Sequence, residues 1–154
     1  MGLRVLDVGT GATPLTGQPS TSVHYVGGER PVDHPGPIHF YVMKPFVEAL
    51  GISIGMIATS VLITGGCVLI SAWAIFRQLG RGAGVAAAVA LGAITFTTGA
   101  SSLVNPVSSS IAGYPLLCSM VMLWCLACGD VRLLPLAAAI VSFAAQQHLS
   151  VLPS

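Results

Sequence analysis

Two long uncharged stretches dominate the pattern of apolar and polar positions along the chain. Residues 49–76 contain no charged side chain, and neither do residues 82–129. A bilayer core about 30 Å thick is crossed by roughly 20 apolar residues of helix. The first stretch is therefore long enough for one membrane span and the second for two. Asn105-Pro106, followed by serines at 108–110, indicates a turn within residues 104–110 that separates those two spans.

The last part of the chain adds a possible fourth span. It is the least apolar of the four, because Gln146, Gln147 and His148 lie within it. Pro135 falls in its first turn, where proline is tolerated. We predict transmembrane helices over residues 52–76, 83–103, 111–128 and 133–152.

The N-terminal third has a different pattern. Residues 1–37 are rich in Gly, Pro, Ser and Thr, which is typical of loop. Residues 38–50 predict a short amphipathic helix in which Tyr41, Lys44 and Glu48 share one face. A helix of this kind lies in the membrane interface. The expected fold is all-α: a polytopic membrane bundle of three or four transmembrane helices (51–154), preceded by an extracytoplasmic loop and an interfacial helix (1–50).

Composition and charge agree with a membrane protein. Only 7% of the residues are charged, whereas a soluble domain carries about 25%. The net charge of +1 gives no reason to expect a nucleic-acid partner. The expected partners are membrane lipids and other membrane helices, since Gly51-x-x-x-Gly55 and Gly65-Gly66 favour close helix packing.

The distribution of arginines predicts the orientation. Arg77 and Arg81 lie between the first two spans, the loop 104–110 is uncharged, and Arg132 would fall on the side of Arg77. The positive-inside rule puts these arginines in the cytoplasm and residues 1–50 outside a cell membrane that the chain crosses several times. No apolar segment precedes residues 1–50 in this sequence. With three basic and four acidic residues they could be translocated as a bare tail, but the simpler hypothesis is that the chain is part of a longer protein with an earlier helix.

The four cysteines, Cys67, Cys118, Cys125 and Cys128, all lie in apolar stretches. They are poor disulfide candidates. The spacing of Cys125 and Cys128 is that of a zinc-binding pair, but no second pair completes a site. We expect them to be small apolar packing residues.

The most specific motif is DHPGPIHFY, residues 33–41. Its two prolines stiffen the backbone and Gly36 permits a positive φ between them. The result is a rigid turn that holds Asp33 and His34 just before the interfacial helix. It favours either a polar site at the membrane surface or a simple turn with solvated side chains.

These residues resemble the first outer loop of bacterial polytopic membrane proteins related to the C-type glycosyltransferases, which use lipid-phosphate-linked sugars. The resemblance rests on Asp7, on TPLTG at 13–17 and on HPGP with FY at 34–41. Three later segments fit it as well: Asn105-Pro106, Cys128-Gly129-Asp130 with Leu134-Pro135-Leu136, and Ser142-Phe143 with Gln146-x-His148. The family commonly has Asn where Asp33 stands, and it has more helices than this chain, which indicates a fragment.

The resemblance implies a site for a polyprenyl-phosphate sugar. Asp7 would be the general base that accepts a proton from the attacking sugar hydroxyl, with Asp33 and His34 as further catalytic candidates. Arg4, Lys44 or a divalent metal ion would stabilise the leaving phosphate. The remaining substrate-binding candidates are Tyr41, Gln146 and His148.

Structural interpretations stay open beside these. Asp7 can simply cap or solvate a loop, and Gln146 and His148 can be interfacial residues at a helix end. A metal site formed by Asp33, His34, His39 and His24 has no recognised ligand spacing.

Two other functions compete with the enzyme. A transporter or channel is disfavoured because the predicted spans contain no charged residue. A non-enzymatic membrane protein would associate with partner helices through its small-residue faces.

Overall fold

A computed structural model describes residues 2–18, 33–99 and 108–147, and these residues form helices and no strand. The all-α prediction is therefore confirmed. The helices are α1 (Gly2–Leu6), α2 (Ile38–Leu50), α3 (Ile52–Leu79), α4 (Arg81–Thr98), α5 (Ser108–Ala127) and α6 (Leu134–Gln147), with a 3-10 turn (Val131–Leu133) before α6. The central helix α3 contacts α2, α4 and α5, and α6 packs against α5 and against α2.

The predicted interfacial helix has the bounds that the sequence indicated, Ile38–Leu50. Gly51, with φ +80°, ends it and leads directly into α3. The sharp corner needs a left-handed backbone conformation, which costs glycine nothing because it has no Cβ.

Four predicted boundaries were wrong. Residues 2–6 form a helix where we predicted loop, because Val5 packs into the bundle. Serines 108–110, predicted to lie in a turn, form the first turn of α5; serine is favoured at helix starts. Helix α3 continues to Leu79, and α4 starts at Arg81. The ends of the predicted spans at 99–103 and 148–152, together with Asn105-Pro106, lie wholly or largely outside the described residues.

The connection between α3 and α4 is shorter than predicted. Arg77 and Arg81 were expected in a loop, but both lie within helices, and Gly80 alone joins the two. Its φ of +86° makes the chain turn back in one residue. Gly82 and Gly84 both lie within α4. Gly84 lets α4 approach Phe76 closely, since a Cβ placed there would lie 2.6 Å from the Phe76 Cβ.

Small and hydroxyl-bearing side chains form the buried face of α3. Thr59 donates a hydrogen bond to the carbonyl of Gly55 (2.8 Å), and Ser60 donates one to that of Met56 (2.9 Å). Most of the large apolar side chains of the same helix point outwards; Leu69, for example, is 71% exposed. Met56, Ile63 and Ile70 are exceptions that pack against the buried clusters. Helix packing through small residues with an apolar outer surface is the pattern of membrane bundles. The buried residues of α3 are Gly55, Thr59, Ser60, Thr64, Cys67, Ser71 and Ala74.

Among the described residues, α3 is the one helix long and apolar enough to cross a membrane. Its 28 residues extend about 42 Å at 1.5 Å per residue. Three shorter apolar helical stretches accompany it, residues 81–97, 111–127 and 131–147. Length and composition of α3 thus support membrane association.

Two buried apolar clusters hold the helices together. One joins α1, α2 and α5 around Val5, Phe40 and Ile111. The other joins α3, α5 and α6, and it contains three of the four cysteines, Cys67, Cys118 and Cys125. The packing role predicted for these three is confirmed, and all four cysteines are free. It was wrong for Cys128, which is exposed because α5 ends one residue before it.

The glycine pattern marks one close contact between helices. A Cβ placed on Gly55 would lie 2.6 Å from backbone atoms of Phe46 and Val47, so α2 and α3 touch there. Close packing was correctly predicted for Gly55. At Gly51, Gly65 and Gly66 a Cβ would meet nothing within 4 Å among the described residues, so these three glycines make no close contact within the chain. Their packing against helices of a partner stays a prediction.

We expect Gly55→Ala to destabilise the protein by about 1–3 kcal/mol, because backbone atoms of α2 would have to move away. Gly65→Ala is the matched control. It adds the same methyl group to the same helix in open space, and it should be neutral or stabilising by up to about 1 kcal/mol. Thermal unfolding in detergent, followed by circular dichroism, measures both. Equal unfolding temperatures for the two variants would contradict the close contact.

Candidate functional site

The N-terminal loop is fastened beside the DHPGP turn by backbone hydrogen bonds. The amide of Gly17 donates to the carbonyl of His34 (3.0 Å), and the amide of His34 donates to the carbonyl of Gln18 (2.9 Å). The fit is close, since a Cβ on Gly17 would lie 2.9 Å from the carbonyl oxygen of Gly36. The end of the TPLTG segment therefore lies against the DHPGP turn, and these hydrogen bonds pair the backbone of the two segments.

Arg4 and Asp33 are partners in this arrangement. Arg4 projects from α1, donates a hydrogen bond to the carbonyl of Gly17, and lies 3.6 Å from the Asp33 carboxylate. Thr16 donates a further hydrogen bond to the same carboxylate oxygen at 2.7 Å. Both charged side chains are partly exposed. Arg4, predicted to bind phosphate, and Asp33, predicted to serve catalysis, thus connect α1 to the TPLTG segment and to the start of the DHPGP turn.

Lys44 has a similar position on α2. Its ammonium group donates to the carbonyl of Val8 and lies 3.4 Å from the Glu48 carboxylate, one helical turn away. Lys44 and Glu48 share a face, as predicted, and Tyr41 is 45% exposed. Lys44 therefore connects the turn after α1 to the outer surface of α2.

Asp7 lies at the end of α1 and is half-buried. Its backbone carbonyl accepts hydrogen bonds from the hydroxyls of Thr10 (2.7 Å) and Thr13 (3.2 Å). Its carboxylate makes no hydrogen bond or ion pair with the residues that the structure describes. Of the two predicted catalytic carboxylates, Asp7 is thus the one available to accept a proton, because Asp33 is already engaged.

The DHPGP turn packs against the end of α6. A Cβ on Gly36 would lie 2.6 Å from Cδ of Gln146, so the two residues are in direct contact. His34 is buried, with 6% of its surface exposed. The structure thus brings His34 and Gln146, two of the predicted site residues, to the same place. His148 and His24 lie outside the described residues.

A buried polar pair next to this contact was missed by the sequence analysis. His39 and Gln147 are almost wholly buried, and neither imidazole nitrogen nor the amide group of Gln147 has a hydrogen-bond partner among the described residues. The imidazole ring meets the Phe143 ring edge-on, with 6.4 Å between their centres. The sequence did contain a signal for the burial of His39: it lies one helical turn before Met43, on the apolar face of α2.

A small cavity lies between these groups. Its volume is about 10 Å³, and His34, Gly36, His39 and Gln147 are among the residues that line it. That volume is near the lower limit for one water molecule. The described residues contain no group of three or more His, Cys, Asp or Glu side chains placed to hold a metal ion.

Comparison with family models, curated proteins and solved structures found no match to this chain.

Burial lowers the pKa of His39 from 6.5 to about 4, and the neighbouring Gln147 offsets this effect in part. Above pH 6.5 the imidazole is neutral in both the folded and the unfolded chain, and folding is not penalised. As the pH falls from 6.5 to 4, the unfolded chain gains a proton that the folded chain excludes. We expect stability to fall over this range by on the order of 3 kcal/mol.

Thermal unfolding in detergent at pH 7.5 and pH 4.5 measures the loss. His39→Phe and His39→Gln should each show a smaller drop than the wild type, because they remove the titrating group. Tyr41→Phe, an exposed change on the same helix, should retain the full drop. The same pH dependence in all four proteins would show that His39 does not cause it.

The contact between Gly36 and Gln146 is open to a double-mutant cycle. We expect Gly36→Ala to cost about 1 kcal/mol, because the new methyl group overlaps the flexible Gln146 side chain, which has to move aside. In a Gln146→Ala background the same change should cost little, since the overlapping atoms are absent. Unfolding temperatures of the four proteins give the coupling, and strictly additive effects would contradict the docking of the turn on α6.

Proposed function

We propose that the chain is part of a multi-pass membrane protein in which α3, α4, α5 and α6 cross the bilayer. Large apolar side chains on the outer surfaces of these helices support this: Val89 is 67% exposed, Met120 67% and Phe96 86%. The charged residues lie outside the apolar helical stretches or at their ends. By the positive-inside rule, the end with Arg77, Arg81 and Arg132 faces the cytoplasm, and the end with α1 and α2 faces outward.

We further propose that the outward end belongs to a glycosyltransferase that takes a sugar from a polyprenyl-phosphate donor. One observation carries this proposal: three segments that resemble the C-type glycosyltransferases meet at that end. Gly17 of TPLTG is hydrogen-bonded to His34 of HPGP, and Gly36 contacts Gln146 of the SFxxQ segment. Segments more than a hundred residues apart in sequence thus form one surface.

The proposed reaction assigns the proton to Asp7. An acceptor hydroxyl attacks the anomeric carbon of the sugar, its proton passes to the Asp7 carboxylate, and the bond from that carbon to the phosphate oxygen breaks. Polyprenyl phosphate leaves as an anion. A carboxylate that is half-buried and has no partner among the described residues can accept this proton.

The other candidates have supporting roles in this proposal. Arg4 and Lys44 hold the loop through backbone carbonyls, and their exposed faces add positive charge where the phosphate would leave. Asp33 orients Arg4, while His34 positions the turn. Tyr41, on the exposed face of α2, is available to a substrate that arrives along the membrane surface. A divalent metal ion would supply further positive charge.

We expect Asp7→Asn to reduce sugar transfer by about 10²-fold or more, because the amide cannot accept the proton. Asp130→Asn, the same chemical change at the opposite end of the bundle, is the control and should retain activity. The assay follows labelled sugar from a polyprenyl-phosphate donor into acceptor, using the full-length protein in membranes. Equal transfer by wild type and Asp7→Asn would reject Asp7 as the base, and no transfer by the wild type would reject the enzyme.

A further inference from the structure

A second polar cavity lies at the end of the bundle opposite the proposed site. Its volume is about 360 Å³, and it opens where α3 ends beside the turn that follows α5. The residues that line it include Arg77, Cys128, Asp130, Val131 and Arg132. None of these residues has a role in the proposed sugar transfer.

Of the two arginines that line this cavity, one is in an ion pair and the other is not. Arg77 is held in place by the Asp130 carboxylate at 2.9 Å, and its guanidinium lies 5.0 Å from the centre of the Trp73 ring. Arg132 is exposed and makes no hydrogen bond or ion pair within the described ranges 2–18, 33–99 and 108–147. The two arginines and one carboxylate leave the lining with one net positive charge, and Arg132 is the group that can bind an anion.

The surroundings of the cavity indicate where it sits in a membrane. Both tryptophans of the chain are near it: Trp73 lies under Arg77, and Trp124 lies one helical turn before Cys128. They are 43% and 40% exposed. Exposed tryptophans concentrate at the level of the lipid headgroups. Val131, on the cavity lining, is 71% exposed and offers an apolar surface beside the polar one.

We infer that this cavity binds the phosphate of an anionic membrane lipid, with Arg132 as its main contact and Arg77 as the second positive charge. A phosphodiester headgroup carries one negative charge and matches the net charge of the lining, while the acyl chains lie along the apolar surface next to Val131 and the tryptophans. Basic pockets at the cytoplasmic ends of membrane helices are suited to such headgroups. This inference rests on the proposed membrane insertion and not on the proposed enzyme activity.

Cys128 provides a readout inside the cavity. It is the one exposed cysteine of the four in the chain, since Cys67, Cys118 and Cys125 are buried. A neutral, water-soluble maleimide should therefore label Cys128 in the otherwise unmodified protein. The experiment measures the labelling rate of the chain in phosphatidylcholine nanodiscs with increasing fractions of phosphatidylglycerol. Bound phosphatidylglycerol should slow the reaction in a saturable way, and more phosphatidylcholine should leave it unchanged.

Two variants separate a defined site from a general attraction to negative charge. Arg132→Gln should weaken the protection by about fivefold in lipid concentration, the effect expected of one basic group near an anionic surface. Arg81→Gln is the matched control: it removes the same charge at the same end, but Arg81 does not line the cavity. It should leave the protection unchanged. Equal weakening by both variants would overturn the assignment.

Two further measurements distinguish a lipid phosphate from a soluble one, and failure of the lipid site from failure of the proposed membrane insertion. Inorganic phosphate at matched ionic strength should not protect Cys128, and full protection by it would identify a soluble phosphate site and overturn the lipid. Alkaline extraction measures insertion separately. An extracted chain would refute the proposed membrane function, whereas an inserted chain with unprotected Cys128 would refute the lipid site alone.

Discussion

Close packing of helices through small side chains is the constraint on which this structure depends. The buried face of α3 carries Gly55, Thr59 and Ser71 rather than leucines and phenylalanines, so backbones can approach one another directly. Buried hydroxyls are costly when they are left unpaired. Those of Thr59 and Ser60 are satisfied by carbonyls one turn earlier in the same helix, whereas those of Thr64 and Ser71 have no hydrogen-bond partner among the described residues. Most of the large apolar side chains of α3 then lie on the outer surface. This arrangement suits lipid as the surrounding medium, because lipid imposes no penalty on an apolar exterior.

The N-terminal segment depends on that bundle for its conformation. Five residues of helix are not stable in isolation, and α1 is held because Val5 enters an apolar cluster with Phe40 and Ile111. Arg4 and Lys44 then donate hydrogen bonds to the backbone carbonyls of Gly17 and Val8, in the loop that follows α1. The same cations can thus fix the loop and present positive charge to a ligand. Because partly exposed ion pairs contribute little stability on their own, the cluster under α1 supplies most of the attachment.

The two ends of the bundle differ in their chemistry. At the outward end of the proposed topology lie the Asp7 carboxylate, which has no partner among the described residues, and the buried His39, whose two ring nitrogens also have none there. Such unsatisfied groups are rare in folded proteins and require an explanation by water, ligand or function. At the other end, an ion pair and a free arginine surround an open cavity. Helix α3 alone separates the two by more than the thickness of a bilayer core.

The sequence by itself determined the existence of α2 to α6, but not of the short helix α1. Long uncharged stretches indicated the helices, and the change from loop composition to an amphipathic pattern located Ile38–Leu50, because these signals are local properties of the chain. Tertiary structure decided the contacts between distant segments and the burial of individual side chains, which local signals do not specify. The contact of Gly36 with Gln146, the ion pair of Arg77 with Asp130, the burial of His39 and the exposure of Cys128 all depend on which distant segment packs alongside. Helix periodicity specifies which side chains share a face, but the neighbour of that face is set by the packing of the whole bundle.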